Sequence, residues 1–457
     1  MRRKGFEILK QYDLTTGKIT AKLWAFALPL MLGNVMQQLY NLADTWVVGK
    51  YIGSNALAAV GSSYSLTTFL TSVIIGLCLG ASAFFSMAHG RHDYEKIRNG
   101  KFISFTVIGT FSILLSAAVI WQAGGIIRLL RVPDEIFGMM KTYLLCIFCG
   151  IFASFLYNYY ANLLRGIGNS ATPLVFLSVS VALNIGLDII FVVPLEMGIR
   201  GAALATVISQ YIAGIGICAY TFFKYPQLRI TKADAYFNKS VLKNIASLSG
   251  FTCLQQSVMN FGILAVQGIV NGFGAAVMSA FAVAVKIDTI AYMPVQDFGN
   301  AFSTFIAQNY GAGKPKRIKA GIKQSAVCVA IFCAVISAAV VIFAKPLMEI
   351  FVSKSEIQII ETGVQYLRIE GACYVGIGIL FMLYGYYRAV DKPAFSVVLT
   401  VISLGTRVLL SYLLSKIPQL GETGIWISIP IGWFLADAAG IIHYLAQKRK
   451  SPLGHTP

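Results

Sequence analysis

The sequence predicts an all-α integral membrane protein with twelve transmembrane helices in two parallel six-helix repeats. Hydrophobic residues make up 57% of the 457 positions and charged residues only 12%, which is the composition of a membrane protein. Apolar segments of about 20 residues, the length that spans a bilayer as a helix, recur along the whole chain. Matching residues also recur between the two halves at a nearly constant spacing.

The apolar segments are continuous rather than alternating, which argues against transmembrane β-strands. We count twelve segments that are long enough to cross the membrane and number them as spans one to twelve. Their approximate bounds are 23–48, 55–80, 100–123, 136–160, 172–194, 199–223, 244–270, 276–307, 321–344, 357–386, 394–415 and 424–446.

The basic residues indicate which side of the membrane is cytoplasmic. Of the 37 Lys and Arg, 26 lie in the two tails and in the loops after even-numbered spans, seven lie in the opposite loops, and four lie within spans. By the positive-inside rule, this segregation places both termini in the cytoplasm. Arg2, Arg3 and Lys4 are among the basic residues of the N-terminal tail. Membrane topology therefore accounts for the net charge of +18 without a nucleic-acid partner. The polar first twenty residues predict no cleavable signal peptide.

The two halves of the chain match at a spacing of 221 residues and later of 223. The matched pairs include Gly53 with Gly274, Phe84 with Phe305, Gly100 with Gly321, and Arg165 with Arg388. Because six spans are an even number, both copies start on the same side, and such parallel repeats are a transporter arrangement. The predicted domains are an N-terminal lobe at 1–223, a cytoplasmic linker at 224–243, a C-terminal lobe at 244–447 and a cytoplasmic tail at 448–457.

Span one carries a polar stripe that ends in a carboxylate. Gly33, Gln37, Tyr40 and Asp44 are separated by four, three and four residues, so they share one helical face. At about 1.5 Å per residue, Asp44 lies roughly 13 Å below the outer end of the helix. A carboxylate at such a depth is costly, and its default interpretation is functional.

Span five places a second carboxylate at a similar depth. The stretch "VALNIGLDIIFVV" at 181–193 carries Asn184 and Asp188 four residues apart, and hence on one face. Counting from the outer ends of spans four and six brings Tyr143 and Thr206 into the same layer. We therefore predict a polar chamber in the outer half of the N-terminal lobe.

Two carboxylates that face one enclosed space repel each other as anions and lose hydration, and a proton or a sodium ion would relieve both effects. Asp44, Asp188 and Asn184 are the predicted cation-coupling residues, and they are metal ligands only if the ion is Na⁺. The predicted cavity residues, which can supply oxygen ligands or hydrogen bonds, are Gln37, Tyr40, Tyr143 and Thr206. A polar cluster that only holds helices together is the structural alternative.

The C-terminal half repeats the spans without these two carboxylates. Ala265 stands where Asp44 would recur, and the copy of span five offers Arg407. We expect the remaining charged residues of these spans to be paired, either within the protein or with substrate: Lys286, Asp288, Asp297, Arg368, Glu370 and Asp437. The "GAGKPK" at 311–316 lacks the first Gly and the final Ser or Thr of a phosphate-binding loop, so no nucleotide site is predicted.

Four stretches resemble the multidrug and toxic compound extrusion (MATE) family, and the resemblance covers nearly the whole chain: "LYNLADTWVVGKYIG", "LNIGLD", "GIRGAALATVISQ" and "AQNYGAGKPKR". It implies the MATE, or MOP-type, fold and a secondary antiporter that exports organic, often cationic, drugs or metabolites against inward protons or sodium. The paired carboxylates resemble the DinF-like branch. In similar proteins, the aspartates of helices one and five hold the coupling cation with neighbouring polar residues, here Asp44, Asp188, Asn184, Gln37 and Tyr40.

Further expectations follow from this resemblance. Pro29 matches a proline near which helix one of the family bends, so we predict a hinge there. The NorM-like branch has acidic residues in helices seven and ten. Spans seven and ten of this chain have no acidic residue at the usual depth, unless Glu370 takes that role. We expect a plasma-membrane monomer with lipid and small organic substrates as partners, and with no cofactor, nucleotide or nucleic acid. One alternative is a lipid-linked oligosaccharide flippase. The other is an intramembrane aspartyl protease, whose sequence signatures are missing around Asp44 and Asp188.

Overall fold

The fold is described from a computed structural model, which covers residues 13–129 and 132–450. Arg2, Arg3, Lys4 and the last seven residues of the predicted tail lie outside the described residues. Within these ranges every regular element is a helix, as the continuous apolar segments predict.

The helices of the first half follow spans one to six. They are α1 (Ile19–Tyr51), α2 (Ser54–Gly90), α3 (Tyr94–Leu129), α4 (Asp134–Cys149), α5 (Ile151–Gly166), α6 (Ala171–Val192) and α7 (Gly198–Lys224). Two short 3₁₀ turns, Pro226–Leu228 and Lys232–Asp234, follow in the predicted linker.

The helices of the second half follow spans seven to twelve. They are α8 (Lys239–Val270), α9 (Ala275–Gly311), α10 (Pro315–Ile342), α11 (Ala344–Glu349), α12 (Ile357–Gly371), α13 (Tyr374–Ala389), α14 (Pro393–Leu414) and α15 (Glu422–Lys450). The short α11 lies in the loop between spans nine and ten, and a 3₁₀ turn at Asn271–Phe273 follows α8.

Among the described residues, ten helices are long and apolar enough to cross a membrane, and two bent pairs raise the number to twelve. The predicted all-α membrane fold with twelve spans is therefore confirmed. Spans 136–160 and 357–386 are each broken, since α4 meets α5 at 40° and α12 meets α13 at 53°.

Both breaks coincide with a tightened turn of the backbone. The N–H of Gly150 donates to the carbonyl of Ile147 at 2.8 Å, and the N–H of Cys373 donates to the carbonyl of Glu370 at 2.9 Å. A bond to the third preceding residue is typical of 3₁₀ geometry and redirects the chain. The two breaks are 223 residues apart, which is the second spacing of the predicted repeat.

Glycine conformation repeats in the loops ahead of α2 and α9. Gly53 precedes α2 with φ 111° and ψ 179°, and Gly274 precedes α9 with φ 93° and ψ 172°. These backbone angles are accessible mainly to glycine. The sequence match between the two positions therefore reflects one turn used twice.

The same glycine contact also recurs in both halves. A Cβ placed on Gly100 would lie 2.3 Å from Phe84, and a Cβ placed on Gly321 would lie 2.3 Å from Phe305. The space for a side chain at each glycine is thus taken by a phenylalanine ring. The sequence repeat is consequently a repeat of packing and not only of composition.

The described residues form two compact units. The N-terminal unit contains Asp13 and residues 28–253, and the C-terminal unit contains residues 14–27 and 254–450. The boundaries between the units thus fall inside α1 and α8, whereas the predicted lobe boundaries fall between spans.

The segment ahead of α1 is bound within the C-terminal unit by the loop between α9 and α10 and by the first turn of α10. The Arg317 guanidinium donates at 2.8 to 3.3 Å to three carbonyl oxygens, those of Leu14, Thr16 and Gly17. The Lys314 ammonium donates to the carbonyl of Thr15 at 3.0 Å. Such charge-assisted bonds satisfy backbone acceptors at a helix start, and they help to explain why residues 14–27 belong to this unit.

The linker ahead of α8 is bound within the N-terminal unit by the start of α3. Arg98 Nε donates to Asp234 Oδ2 at 2.9 Å, and Asn99 Nδ2 donates to the carbonyl of Tyr236 at 2.8 Å. Burial alone would raise the pKa of Asp234, but hydrogen bonds from Arg98 and Thr231 hold this pKa below its ordinary value. The ion pair therefore forms at neutral pH and is lost only as the pH falls through that lowered pKa.

We expect Arg317→Ala to accelerate amide hydrogen exchange in residues 14–27. Loss of its charge-assisted bonds should lower the local opening free energy by about 2 kcal/mol, which corresponds to roughly 30-fold faster exchange. Mass spectrometry of peptides from the detergent-solubilised protein measures the rate. Arg317→Lys keeps the charge but not the planar fork, so it should give an intermediate rate. Unchanged exchange in Arg317→Ala would mean that other contacts hold the segment.

Candidate functional site

Six helices of the N-terminal unit, α1, α2, α4, α5, α6 and α7, bring polar side chains to one cavity region. The larger cavity has a volume of about 340 Å³, and its wall includes Gln37, Tyr40, Asp44, Tyr143 and Thr206. A second space of about 100 Å³ shares three of these residues and adds Asn184. The polar layer predicted from α1, α4, α6 and α7 thus surrounds a real space.

Close packing of α1 on α6 aligns the two carboxylate-bearing helices. Gly33 lies on the polar stripe of α1, and a Cβ at this position would lie 3.5 Å from the Leu177 side chain of α6. Both atoms that a Cβ at this position would meet, in Leu177 and Leu174, are side-chain atoms of α6 at ordinary van der Waals distance. The stripe of α1 therefore faces the Asn184 and Asp188 face of α6.

Four polar residues of this region are linked by hydrogen bonds. The Tyr40 hydroxyl donates to Thr206 Oγ1 at 3.2 Å. The Asn184 amide is assigned with its nitrogen towards Asp188, because this orientation pairs both of its polar atoms. Its nitrogen then donates to Asp188 Oδ2 at 3.1 Å, and its oxygen accepts from the Thr206 N–H at 3.3 Å.

The two carboxylates themselves are nearly sealed from solvent. Asp44 is 6% exposed and Asp188 is 0% exposed. One oxygen of each, Oδ1 in both cases, is buried without a hydrogen-bond partner. Neither takes part in an ion pair with a described Lys or Arg. Two buried anions without a counter-charge are strongly unfavourable, so this arrangement calls for a proton or an external cation.

The residues present fit either occupant by their chemistry. A proton would turn one of the unpaired carboxylate oxygens into a donor. A hard cation such as Na⁺ prefers oxygen ligands, which Asp44, Asp188 and the neutral groups of Gln37, Tyr40 and Thr206 offer. The described residues contain no group of three or more His, Cys, Asp or Glu that could hold a metal ion, so a transition-metal site is not indicated.

Pro29 and Asp188 are the predicted site residues that do not line either space, although Asp188 accepts a hydrogen bond from Asn184, which lines the smaller one. Pro29 lies inside α1, which continues unbroken from Ile19 to Tyr51. The boundary between the two compact units falls between Ala27 and Leu28, close to this proline. Proline removes one backbone hydrogen bond from the helix, which makes bending at that point easier. The hinge at Pro29 stays a prediction.

Sequence reasoning missed several polar residues of the cavity walls. They are Asn34, Thr67, Thr71, Ser154, Asn158 and Gln210. Ser154 Oγ donates to Gln210 Oε1 at 2.9 Å, which joins α5 to α7. A spacing of four residues places Thr67 with Thr71 on one face of α2, and this signal could have identified them.

The charged residues of the C-terminal unit do not form the expected ion pairs throughout. Asp288, Glu370 and Asp437 are buried, and each has at least one carboxylate oxygen without a hydrogen-bond partner. None of the three takes part in an ion pair within 4.0 Å among the described residues, so contact with substrate stays a prediction for them. Arg388, a buried cation of the same unit, donates to Ser303 Oγ at 3.3 Å and to Asn300 Oδ1 at 3.0 Å.

Comparison with known proteins decides the family. The family model MatE matches residues 29–190 and again residues 252–413, at the repeat spacing of 223. The chain belongs to the MATE family. Because its members are transporters, the prediction that the chain is not an enzyme is confirmed. Neither the flippase alternative nor the protease alternative gains support from the relatives.

Relatives of this MATE protein align over nearly their whole length. It is 29% identical to the probable multidrug resistance protein YpnP of Bacillus subtilis, over 95% of this chain and 97% of that protein. It is 26% identical to the probable multidrug resistance protein NorM of Thermotoga maritima, over 94% and 93%. These relatives do not decide between branches of the family, so membership of the DinF-like branch stays a prediction.

The fold of this MATE protein is also that of solved structures. A multidrug resistance MATE family transporter of the MOP superfamily, solved in an outward-facing conformation, superposes with a TM-score of 0.90. The match covers 97% of this chain and 99% of that chain at 23% identity. The MATE protein is therefore a multi-pass membrane protein with the predicted MOP-type fold.

Proposed function

We propose that this MATE protein is a secondary active antiporter that exports small organic compounds, often cationic, in exchange for protons or sodium ions moving inward. Asp44 and Asp188 support this function most strongly: both are buried carboxylates with an unpaired oxygen, Asp44 lines the larger cavity, and Asp188 accepts from Asn184 in the wall of the smaller one. The names of the relatives as probable multidrug resistance proteins support the substrate class.

The coupling step follows from competition for charge. When the cavity is open to the outside, a proton or Na⁺ binds between Asp44 and Asp188 and neutralises part of their charge. The polar network of Tyr40, Asn184 and Thr206 then rearranges, because its donors and acceptors face these carboxylates. A cationic substrate loses its electrostatic attraction to the site and leaves, so cation and substrate bind with negative coupling.

Location and assembly follow the charge distribution and the fold. We propose a plasma-membrane location with both termini in the cytoplasm, as the segregation of basic residues predicts. The transporter acts as a monomer without cofactor or nucleotide, since the ion gradient supplies the free energy. An alkali ion or a proton enters as a co-substrate of transport.

The direct test measures substrate accumulation in proteoliposomes under separate ion gradients. Purified full-length protein is reconstituted, ethidium serves as the cationic probe, and a pH gradient or a sodium gradient is imposed alone. We expect one of the two to drive ethidium transport and its collapse by an ionophore to stop it. Transport that is indifferent to both gradients would reject the antiporter proposal.

Thr206→Val is expected to weaken apparent substrate affinity about fivefold. The change keeps side-chain volume but removes the acceptor of the Tyr40 hydroxyl, a loss of about 1 kcal/mol. The concentration dependence of ethidium transport measures it. Thr221→Val is the matched control, because Thr221 is also buried in α7 but donates to the carbonyl of Ile217. Equal effects of the two variants would contradict a role of Thr206 in the cavity.

A further inference from the structure

A stripe of polar side chains on α5 leads away from the candidate site, towards the side that the basic loops assign to the cytoplasm. Ser154, Asn158 and Asn162 are separated by four residues each, so they share one face of the helix. Ser154 and Asn158 line the smaller space, whose wall also includes Asn184. Asn162 lies about one turn further on, close to the end of α5. The stripe therefore extends the polar cavity region beyond the layer of the two carboxylates.

A second polar stripe, on α2, continues from the first. Ser82, Ser86 and His89 are separated by four and three residues, so they also share one face, and they are 5%, 1% and 2% exposed. Ser82 Oγ donates to the backbone carbonyl of Asn162 at 2.8 Å, which joins the two stripes. His89 lies in the last turn of α2. These six residues of α5 and α2, from Ser154 to His89, are called the polar series below.

Two members of the polar series have buried polar atoms that no described protein group satisfies. Asn162 Oδ1 and both ring nitrogens of His89 have no hydrogen-bond partner among the described residues. Leaving such an atom unpaired costs about 1 to 3 kcal/mol, and water is the partner that buried polar groups take up in this case. The smaller space is polar and large enough to hold water. Water along the two stripes would satisfy these atoms and connect the cavity with His89.

His89 is placed to pass a proton between the polar series and the solvent. Its ring lies edge-to-face with the rings of His92 and Tyr94, with centroids 6.3 and 6.1 Å away. His92 is exposed, so His89 is one side chain away from solvent. The remaining titratable group that faces His89 is Asp13, whose carboxylate can balance a positive charge on the ring. An imidazole can take up a proton at one nitrogen and release a proton from the other.

The C-terminal unit does not repeat the polar series. At the repeat spacings of 221 for α2 and 223 for α5, the six counterparts are Ser303, Ala307, Tyr310, Ile377, Phe381 and Gly385. Only the serine is retained, and the whole α5 stripe is replaced by residues without a polar side chain. The shared fold therefore does not require polar residues at these positions. Their presence in the unit that contains Asp44 and Asp188 points to a role in the chemistry of that unit.

We propose that the polar series is a proton route within the N-terminal unit, which leads from Asp44 and Asp188 to the cytoplasm and ends at His89. The inference rests on the proposed function and deepens it, because it names the proton as the coupling ion. A proton that leaves the carboxylates passes to water along α5 and binds one nitrogen of His89. The imidazolium then releases a proton from its other nitrogen to cytoplasmic water. The ring is neutral again, so water is the only co-reactant.

A sodium ion is not able to follow this route. Na⁺ prefers several oxygen ligands, and an imidazole nitrogen is a poor ligand for such a hard cation. The backbone carbonyls of Asn158, Asn162 and Ser82 along the stripes already accept side-chain hydrogen bonds at 2.8 Å. A proton needs only a series of hydrogen-bonded groups and water. The polar series is therefore specific for protons.

Separate measurements of the rate and of the final extent of ethidium uptake test the route. Full-length protein in proteoliposomes is driven by a pH gradient. His89→Gln and Asn162→Leu should each slow uptake about tenfold, because proton transfer to and from the site is impeded. The final accumulation ratio should equal that of the wild type, since a slower route leaves the number of coupled protons unchanged. Exchange of labelled for unlabelled ethidium without a gradient should also be unchanged.

Matched variants control for general damage. His443→Gln removes a histidine of α15 that contacts the Tyr387 hydroxyl. Ser112→Ala removes a buried hydroxyl of α3 that donates to the carbonyl of Ile108. Both proteins should keep the wild-type rate. Ser82→Ala interrupts the same route at the junction of the two stripes and tests the claim if His89→Gln or Asn162→Leu does not fold.

The possible failures can be told apart. A wild type that is driven by a sodium gradient but not by a pH gradient would preserve the antiporter proposal and overturn the route. Wild-type uptake rates in folded His89→Gln and Asn162→Leu proteins would overturn the route as well. Loss of exchange together with the rate would show a structural role of these residues, which also contradicts the inference. A wild type that is indifferent to both gradients would overturn the proposed function, and the route with it.

Discussion

Asp44→Asn and Asp188→Asn are each expected to abolish cation-driven accumulation of substrate while substrate exchange across the membrane continues. Asparagine preserves the shape of each side chain but can neither take up a proton nor attract a cation as an anion does. At a membrane potential of 100 mV, each net charge that moves inward per exported substrate is worth about 2.3 kcal/mol, or about fiftyfold accumulation. The ratio of substrate concentrations across the membrane should fall to about one in both variants.

Paired assays in proteoliposomes separate coupling from general damage. Gradient-driven uptake reports coupling, and exchange of labelled for unlabelled substrate without a gradient reports the substrate-bound transporter. Glu135→Gln, at an exposed acid in the first turn of α4, should leave both assays unchanged. Full gradient-driven accumulation in both aspartate variants would reject the assignment of the pair.

Gly80→Leu is expected to prevent stable folding. Gly76 and Gly80 form a small-residue stripe on α2 that meets α8 within the N-terminal unit. A Cβ on Gly80 would lie 2.4 Å from the carbonyl oxygen of Leu248 and from the Cα of Ser249. Because these are backbone atoms, the clash can be relieved only by separating the helices, at a cost of at least about 3 kcal/mol.

Thermal unfolding in detergent and the yield of monodisperse protein measure this effect. Gly80→Ala should already lower the midpoint, since the clash begins at the Cβ atom. Gly61→Leu is the matched control on the same helix, because a Cβ there meets nothing within 4 Å. A Gly80→Leu protein as stable as Gly61→Leu would show that α2 and α8 are not in backbone contact.

The number of spans could be predicted from the sequence because a helix that crosses the bilayer needs a long apolar segment, and each span contains one. The breaks after Cys149 and Gly371 could not be predicted. Hydropathy continues across both positions, and the redirection comes from single backbone bonds to the third preceding residue. Helix lengths were also underestimated: α2 continues to Gly90, since its polar end is helical beyond the apolar segment.

The candidate site was predictable where the spacing of polar residues along a single helix places them on one face. The spacing of Gln37, Tyr40 and Asp44 defines a face without knowledge of any neighbour, and a count of depth brings it level with Asp188. The arrangement of Asp288 and Glu370 around one cavity was not predictable in this way. These residues lie on different helices, so only the fold brings them together, and the sequence suggested pairing with basic residues instead.

The most direct measurement of the central claim is cation movement driven by substrate alone. Proteoliposomes are loaded with ethidium and diluted into ethidium-free buffer without an ion gradient, while internal pH or sodium is followed with an indicator dye. We predict that outward substrate flow draws protons or sodium inward in the wild type. In Asp44→Asn and Asp188→Asn, the substrate should leave without cation uptake. Unchanged cation uptake in both variants would contradict the account.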